Sequence, residues 1–237
     1  MTFHSDGYRL AGFLHLPDCA RPPVVIGSHG LFGTSGSAKQ VGLAAACVAA
    51  GMGFFRFDHR GCGRSSGDFA RVTTLEGRVQ DMLAAAGSIA GREDTAGTFG
   101  FFGSSFGGTV CILAAGILKP AAVVICAAPV RSGDIEPARA VPDGDSPEDH
   151  PRPADLQFDV TGNLEGLRDL LLFHGDADEV VPCRHADEIY AAAAEPKKRV
   201  TQVGGDHRMT DPAHQKLFVE ETLYWFRDRL PVPDDFR

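Results

Sequence analysis

The chain has 237 residues, 43% of them hydrophobic, which is enough to bury the core of one large α/β domain. Its formal net charge of -8 and pI near 5.5 argue against a partner bound through a phosphate backbone, because nucleic-acid affinity comes mostly from clustered Lys and Arg. The one dense basic run, Lys197-Lys198-Arg199, reads as a solvated edge ahead of a strand.

In chain order, two strands near residues 1–4 and 8–16 flank Ser5-Asp6-Gly7, a hairpin turn. The opening stretch has neither a basic n-region nor a continuous apolar h-region, so no signal peptide is expected. Short apolar runs then alternate with helix-like stretches. VVIGS (24–28) precedes a helix near 38–51, FFRFD (54–58) one near 75–90, and TFGFF (98–102) one from about 106 to 118. AAVVICA (121–127) and LLLFH (170–174) follow, then a helix near 183–194, RVTQV (199–203) and a helix near 212–229. This alternation predicts a mostly parallel central sheet of about eight strands with helices on both faces. Residues 131–168 interrupt it with a Pro- and acid-rich composition, read as a small cap or loop insert in a single domain spanning 1–237.

No segment offers the ~18 uninterrupted apolar residues of a membrane span. Six scattered cysteines without a C-x-x-C pair or metal-ligand spacing read as reduced, mostly structural thiols of a cytoplasmic protein. No metalloprotease, P-loop or dinucleotide fingerprint is present, so no metal or cofactor is expected.

The pattern Gly-x-Ser-x-Gly occurs twice, as Gly103-Ser104-Ser105-Phe106-Gly107 and as Gly63-Arg64-Ser65-Ser66-Gly67. A nucleophile elbow needs a strand that turns sharply and passes directly into a helix, so that the hydroxyl stands clear of the sheet edge. Only Ser105 has both: TFGFF before it and an Ala-, Ile- and Leu-rich helix after it. Ser65 is followed by GDFARVTT, which has no immediate helical period. The helix after Ser105 would also aim the N–H of Phe106 at a developing oxyanion.

A serine hydroxyl needs a base, and the base needs an orienting group. HGDADEVVP places Asp176 and Asp178 just past the LLLFH strand, and VGGDHRM places His207 just past RVTQV. The order Ser, acid, His suits a hydrolase built on an open sheet. Among nine histidines, His207 has the required position on a Gly-rich loop at a strand's carboxyl end. His214, on the last helix, and His174, ending a strand, read as packing or surface residues. Spacing leaves Asp176 and Asp178 both open. In GSHGLFGTSG, His29-Gly30 would hold the turn and Leu31 would supply a second oxyanion N–H, with His29 a structural hydrogen-bonding residue. Phe32 and Phe106 either line the cleft or pack beside it.

Taken together, HGLFG, FRFDHRGCGRSSG, GSSFGG, HGDADEVVP and GDHRM resemble the α/β-hydrolase superfamily over nearly the whole chain from Val24 onward. The spacing is most similar to small serine esterases of the feruloyl or cinnamoyl kind and to peptidase-like serine hydrolases. The resemblance implies that the acid is Asp178, the second aspartate of the H-G-x-x-D-x-x-V-P segment. It also implies that Ser65, Asp58 and Arg60 shape a structural loop. Dienelactone hydrolases, a related group, use cysteine where this chain has Ser105. The acid-rich insert departs from the more apolar caps of the esterases, so acyl and alcohol specificity do not transfer.

The expectation is therefore a cofactor-independent serine hydrolase of carboxylic esters: Ser105 as nucleophile, His207 as general base, Asp178 as its orienter, and Leu31 and Phe106 as oxyanion donors. Thioesterase, peptidase and acyltransferase chemistry use the same machinery, and a non-catalytic binding protein of this fold is the rival from another class. The expected partner is a small-molecule ester, with no nucleic acid and no membrane; a homo-oligomer is left open.

Overall fold

The structure, a computed structural model, describes residues 1–135, 156–233 and 236. Strands β1 (Thr2–Ser5) and β2 (Tyr8–His15) form a hairpin whose register pairs Ser5 with Tyr8 across Asp6-Gly7. Both turn residues have positive φ, 46° and 82°, as a two-residue turn matched to strand twist requires. Six further strands are β3 (Val24–Ser28), β4 (Gly53–Asp58), β5 (Phe99–Ser104), β6 (Ala122–Cys126), β7 (Leu170–Gly175) and β8 (Lys197–Gln202). The sheet order is β1-β2-β4-β3-β5-β6-β7-β8, antiparallel through β2 and β4 and parallel thereafter.

The helices are α1 (Ala38–Ala49), the single turn α2 (Phe69–Val72), α3 (Leu75–Ala90), α4 (Phe106–Leu118), α5 (Arg184–Ala192) and α6 (Pro212–Arg229). Successive strand residues point to opposite faces, so the continuous apolar runs split into two cores. Val24, Ile26, Phe55, Phe57, Phe101 and Leu172 pack with α3, α4 and α5, whereas Val25, Phe54, Phe102 and Phe173 pack with α1 and α6. Helix starts follow local chemistry. Thr74 accepts from the N–H of Gly77 to cap α3, and Asp211 accepts from Ala213 to cap α6, which has Pro at its first turn.

Two expectations are corrected. The segment after Ser65 does contain a helix, but only the four residues of α2, too short to show a period. Lys197-Lys198-Arg199 is not a lead-in to a strand: it is the first half of β8, the sheet's edge. There Lys197 Nζ caps the last carbonyls of α5 at Tyr190 and Ala193, Lys198 pairs with Glu221, and Arg199 pairs with Asp187. Charged side chains at an exposed edge also oppose pairing with another sheet.

Residues 136–155 of the expected insert lie outside the described residues. Its two ends are tied together: Ser132 N–H donates to Phe158 O, Val160 N–H to Val130 O, and Arg131 bridges to Asp159. All six cysteines are free thiols. Among the described residues, no helix is long and apolar enough to cross a membrane.

Candidate active site

Ser105 sits between β5 and α4 with φ 54° and ψ -127°, a strained conformation for a residue with a side chain. The turn is possible because its flanking glycines admit backbone where a Cβ would go. A Cβ on Gly107 would lie 2.2 Å from Ser28 O, and one on Gly103 2.3 Å from Gly107 O. The turn is fastened by Ser105 N–H donating to Cys126 O at 2.8 Å.

The loops after β7 and β8 bring the partners to it. Ala177 N–H donates to Gly205 O and Asp176 N–H to Gln202 O, which binds one loop to the other. His207 Nε2 lies 3.1 Å from Ser105 Oγ, and His207 Nδ1 lies 2.8 Å from Asp178 Oδ2 and 3.0 Å from Oδ1. A carboxylate only accepts, so Nδ1 carries the proton and Nε2 presents its lone pair to the serine hydroxyl. Asp178 Oδ1 also accepts from the N–H groups of Val180 and Val181. Burial pushes this carboxyl's pKa up, but hydrogen bonds from His174 and His207, the charge of His207 and the Val181 N–H outweigh it. The net shift is well below the usual carboxylate range. Asp176 instead caps the N–H of Gly204.

His174 is fully buried, with Nε2 2.9 Å from Val181 O and 3.3 Å from Asp178 Oδ2. It packs as expected, and it also braces the carboxylate from behind, which the sequence reading missed. His214 lies on α6, where its carbonyl accepts from Gln202.

The loop after β3 lies against the elbow: a Cβ on Gly30 would be 3.5 Å from Ser105 Cβ. The N–H groups of Leu31 and Phe106 donate to no other described group. His29 is buried, with Nδ1–H donating to Gly30 O at 2.8 Å and Nε2 accepting from His59 N–H. That assignment requires a neutral ring, and burial first, then Arg78 and His59, hold its pKa well below normal.

Ser65 has a different occupation. Its Oγ donates to Asp58 O and accepts from Ala11 N–H, while the Asp58 carboxylate takes the N–H groups of Ser35 and Arg64. Arg60 forks onto Asp81 with two side-chain bonds. A second Ser-His-Asp trio went unseen in the sequence. Ser28 Oγ is 2.8 Å from His59 Nε2, and His59 Nδ1 is 3.4 Å from Asp81 Oδ2, all fully buried. Without access to a substrate, this trio stiffens the end of β3 from which the Gly30 loop departs.

A cleft of about 560 Å³ opens over Ser105, lined by Leu31, Phe32, Lys39, His207 and Arg208 among others, with no carboxylate among its described lining residues. Phe32 therefore lines the cleft and pairs with Phe69 at 5.8 Å. The Phe106 ring is buried against Phe158, and Phe106 is not among the described lining residues of the cleft. Among the described residues, no three His, Cys, Asp or Glu side chains converge as metal ligands would.

Residues 21–142 match the family model described as serine aminopeptidase, S33. An uncharacterized protein of Mycobacterium tuberculosis is 28% identical over 210 residues, covering 85% of this chain and 69% of that protein. The uncharacterized protein YfhR of Escherichia coli is 25% identical, covering 85% and 70%. Among solved structures, Est1E from Butyrivibrio proteoclasticus with bound ferulic acid superposes with a TM-score of 0.81 at 23% identity, covering 97% of this chain and 98% of that one. A lidless α/β serine hydrolase from Xanthomonas campestris gives 0.70 at 22% identity, covering 98% and 95%. At these identities the structural likeness carries the fold.

Proposed function

The chain belongs to the serine aminopeptidase S33 family, within the α/β-hydrolase superfamily, and from that premise we propose that it cleaves a carboxylic ester through an acyl-enzyme. The observation that carries the reading is the relay Ser105 Oγ, His207 Nε2, His207 Nδ1, Asp178 Oδ2, with spacings of 3.1 and 2.8 Å, at a strained elbow over an open cleft.

Ser105 Oγ bonds to the carbonyl carbon as its proton passes to His207 Nε2, and the carbonyl electron pair becomes an oxyanion held by the N–H groups of Leu31 and Phe106. Collapse breaks the carbon–oxygen bond to the alcohol, which leaves with the proton from His207. Water then repeats both steps against the acyl-serine and restores the free hydroxyl. Asp178 stays ionised throughout and stabilises the imidazolium.

The cleft volume suits a small or medium-sized substrate. The ionisable groups among the described lining residues are Lys39, His207 and Arg208. The Phe32–Phe69 pair beside the cleft, and the ferulic acid bound by Est1E, support an apolar or aromatic acyl group.

The test is a panel of p-nitrophenyl esters, acyl-CoA thioesters and peptide amides, with fluorophosphonate labelling. The expected result is ester turnover together with labelling at Ser105, both lost in Ser105→Ala. Faster cleavage of amides or thioesters would move the assignment to a peptidase or thioesterase, and labelling unchanged in Ser105→Ala would overturn it.

A further inference from the structure

Arg78 belongs to none of the sequence motifs, yet it stands behind the oxyanion loop. It projects from α3, is fully buried, and forms no ion pair among the described residues. Asp81, whose charge acts on Arg78, spends its oxygens on His59 and Arg60. The guanidinium instead grips backbone: Nη1 donates to Gly30 O at 3.1 Å and Nη2 to Leu31 O at 2.7 Å. Nη2 also lies 3.4 Å from Cys62 Sγ, and the group sits 5.2 Å from the centroid of the Phe106 ring. Burying a cation without a counter-ion is costly, so a role beyond filling space is called for. Burial lowers its pKa, but a guanidinium remains charged at any physiological pH.

The location supplies that role. Gly30 O accepts three donors: Arg78 Nη1, His29 Nδ1 at 2.8 Å and Gly33 N–H at 3.1 Å. The other end of the same peptide unit is the N–H of Leu31. In a trans peptide that N–H points opposite to the carbonyl, so donors crowded on the oxygen both fix its direction and strengthen it as a donor through polarisation. The ring that Arg78 touches belongs to the residue bearing the other donor.

We propose that Arg78 is the positioning residue of the oxyanion hole: it aims and polarises the Leu31 N–H, steadies Phe106, and sets a positive charge behind the developing oxyanion. This rests on the assignment of Ser105 as nucleophile.

The experiment compares Arg78→Met and Arg78→Lys with the wild type. Sites are counted by fluorophosphonate titration, so that kcat refers only to folded, competent protein. The second readout is the affinity of an aryl trifluoromethyl ketone, which forms a hemiketal oxyanion on serine. Arg78→Met should lower kcat about ten- to a hundredfold, short of the roughly 10²–10³ lost when a donor is deleted outright. KM should change little, and inhibitor affinity should fall by the same factor as kcat/KM. Arg78→Lys keeps the charge but not the fork, so it should lie between the two. A wild-type kcat per titrated site and wild-type inhibitor affinity in Arg78→Met would overturn the proposal, whatever the melting temperature. If Arg78→Met yields no titratable protein, Arg78→Lys decides: wild-type values in both readouts overturn the proposal, and a parallel loss supports it. Failure of wild-type labelling at Ser105 would instead refute the underlying assignment.

Discussion

Replacing Asp178 by Asn should abolish turnover through the histidine's tautomer in a chain that still folds, at some cost in stability because the amide NH₂ also meets the His174 Nε2–H that donates to Val181 O. Oδ1 accepts from two backbone N–H groups, Val180 and Val181, whereas Oδ2 faces His207 Nδ1 and His174 Nε2. An asparagine has one oxygen, and two fixed backbone donors hold it on the Oδ1 side; the alternative would set an NH₂ against two N–H groups. The amide NH₂ then faces His207 Nδ1, which must become an acceptor and so moves its proton to Nε2. A protonated Nε2 has no lone pair for the Ser105 proton. Loss of this arrangement is worth about 10⁴ in kcat, or about 5 kcal/mol of transition-state stabilisation. The assay is steady-state p-nitrophenyl ester hydrolysis with a thermal melt, and with Asp176→Asn as control, since among the described residues the Asp176 carboxylate caps the N–H of Gly204 and does not reach His207. An Asp178→Asn enzyme within about tenfold of wild type, or an equally damaged Asp176→Asn, would refute the tautomer argument.

Ser65→Ala should keep full fluorophosphonate labelling and turnover while losing about 1 kcal/mol of stability in urea unfolding, because it forfeits bonds to Asp58 O and Ala11 N–H; loss of label there would reverse the choice of serine. Gly107→Ala forces a Cβ to within 2.2 Å of Ser28 O and 2.6 Å of His29 O, backbone atoms with no room to retreat. It should cost about 3 kcal/mol or more and lower kcat by prising α4 from the oxyanion loop, and an unchanged melting temperature would contradict the crowding. His59 is pushed down from 6.5 to about 4, chiefly by burial against the opposing pull of Asp81, with Arg78 and Arg60 adding to the depression. The unfolded chain binds the extra proton between those values, so stability is complete above about pH 6.5 and falls by about 3 kcal/mol as the pH drops toward 4. His59→Gln should flatten the pH dependence of the urea midpoint, leaving the parts owed to His29, His185 and His15, whose pKa values are depressed in the same direction; an identical slope in the variant would rule His59 out.

Local patterns were enough for the elements and for the elbow. The short continuous apolar runs gave strands, whose alternate residues enter one or the other of two cores, and GSSFG gave a strand-to-helix turn because only glycine fits at 103 and 107. The basic run at 197–199 lies within the strand and not ahead of it; charge alone does not separate a solvated lead-in from an edge strand whose Lys197 caps a neighbouring helix. Spacing could not choose between Asp176 and Asp178. The difference lies in which carboxylate the β7 turn points inward, and there the resemblance to known esterases decided what geometry then placed 2.8 Å from His207.

By itself the sequence determined the chain of elements, the nucleophile candidate and the order of its partners, because each depends on neighbours within a few residues. Only the tertiary structure decided what meets what. Ser105 and His207 stand 102 residues apart and touch because β5 and β8 both end at the same edge of one sheet. Arg78 and Asp81 lie in no motif, and Ser28, His59 and His174 lie in motifs that do not announce the partners they meet. Their roles come from the carbonyls and carboxylates that distant segments present to them, a matter of packing that periodicity and turn chemistry do not encode.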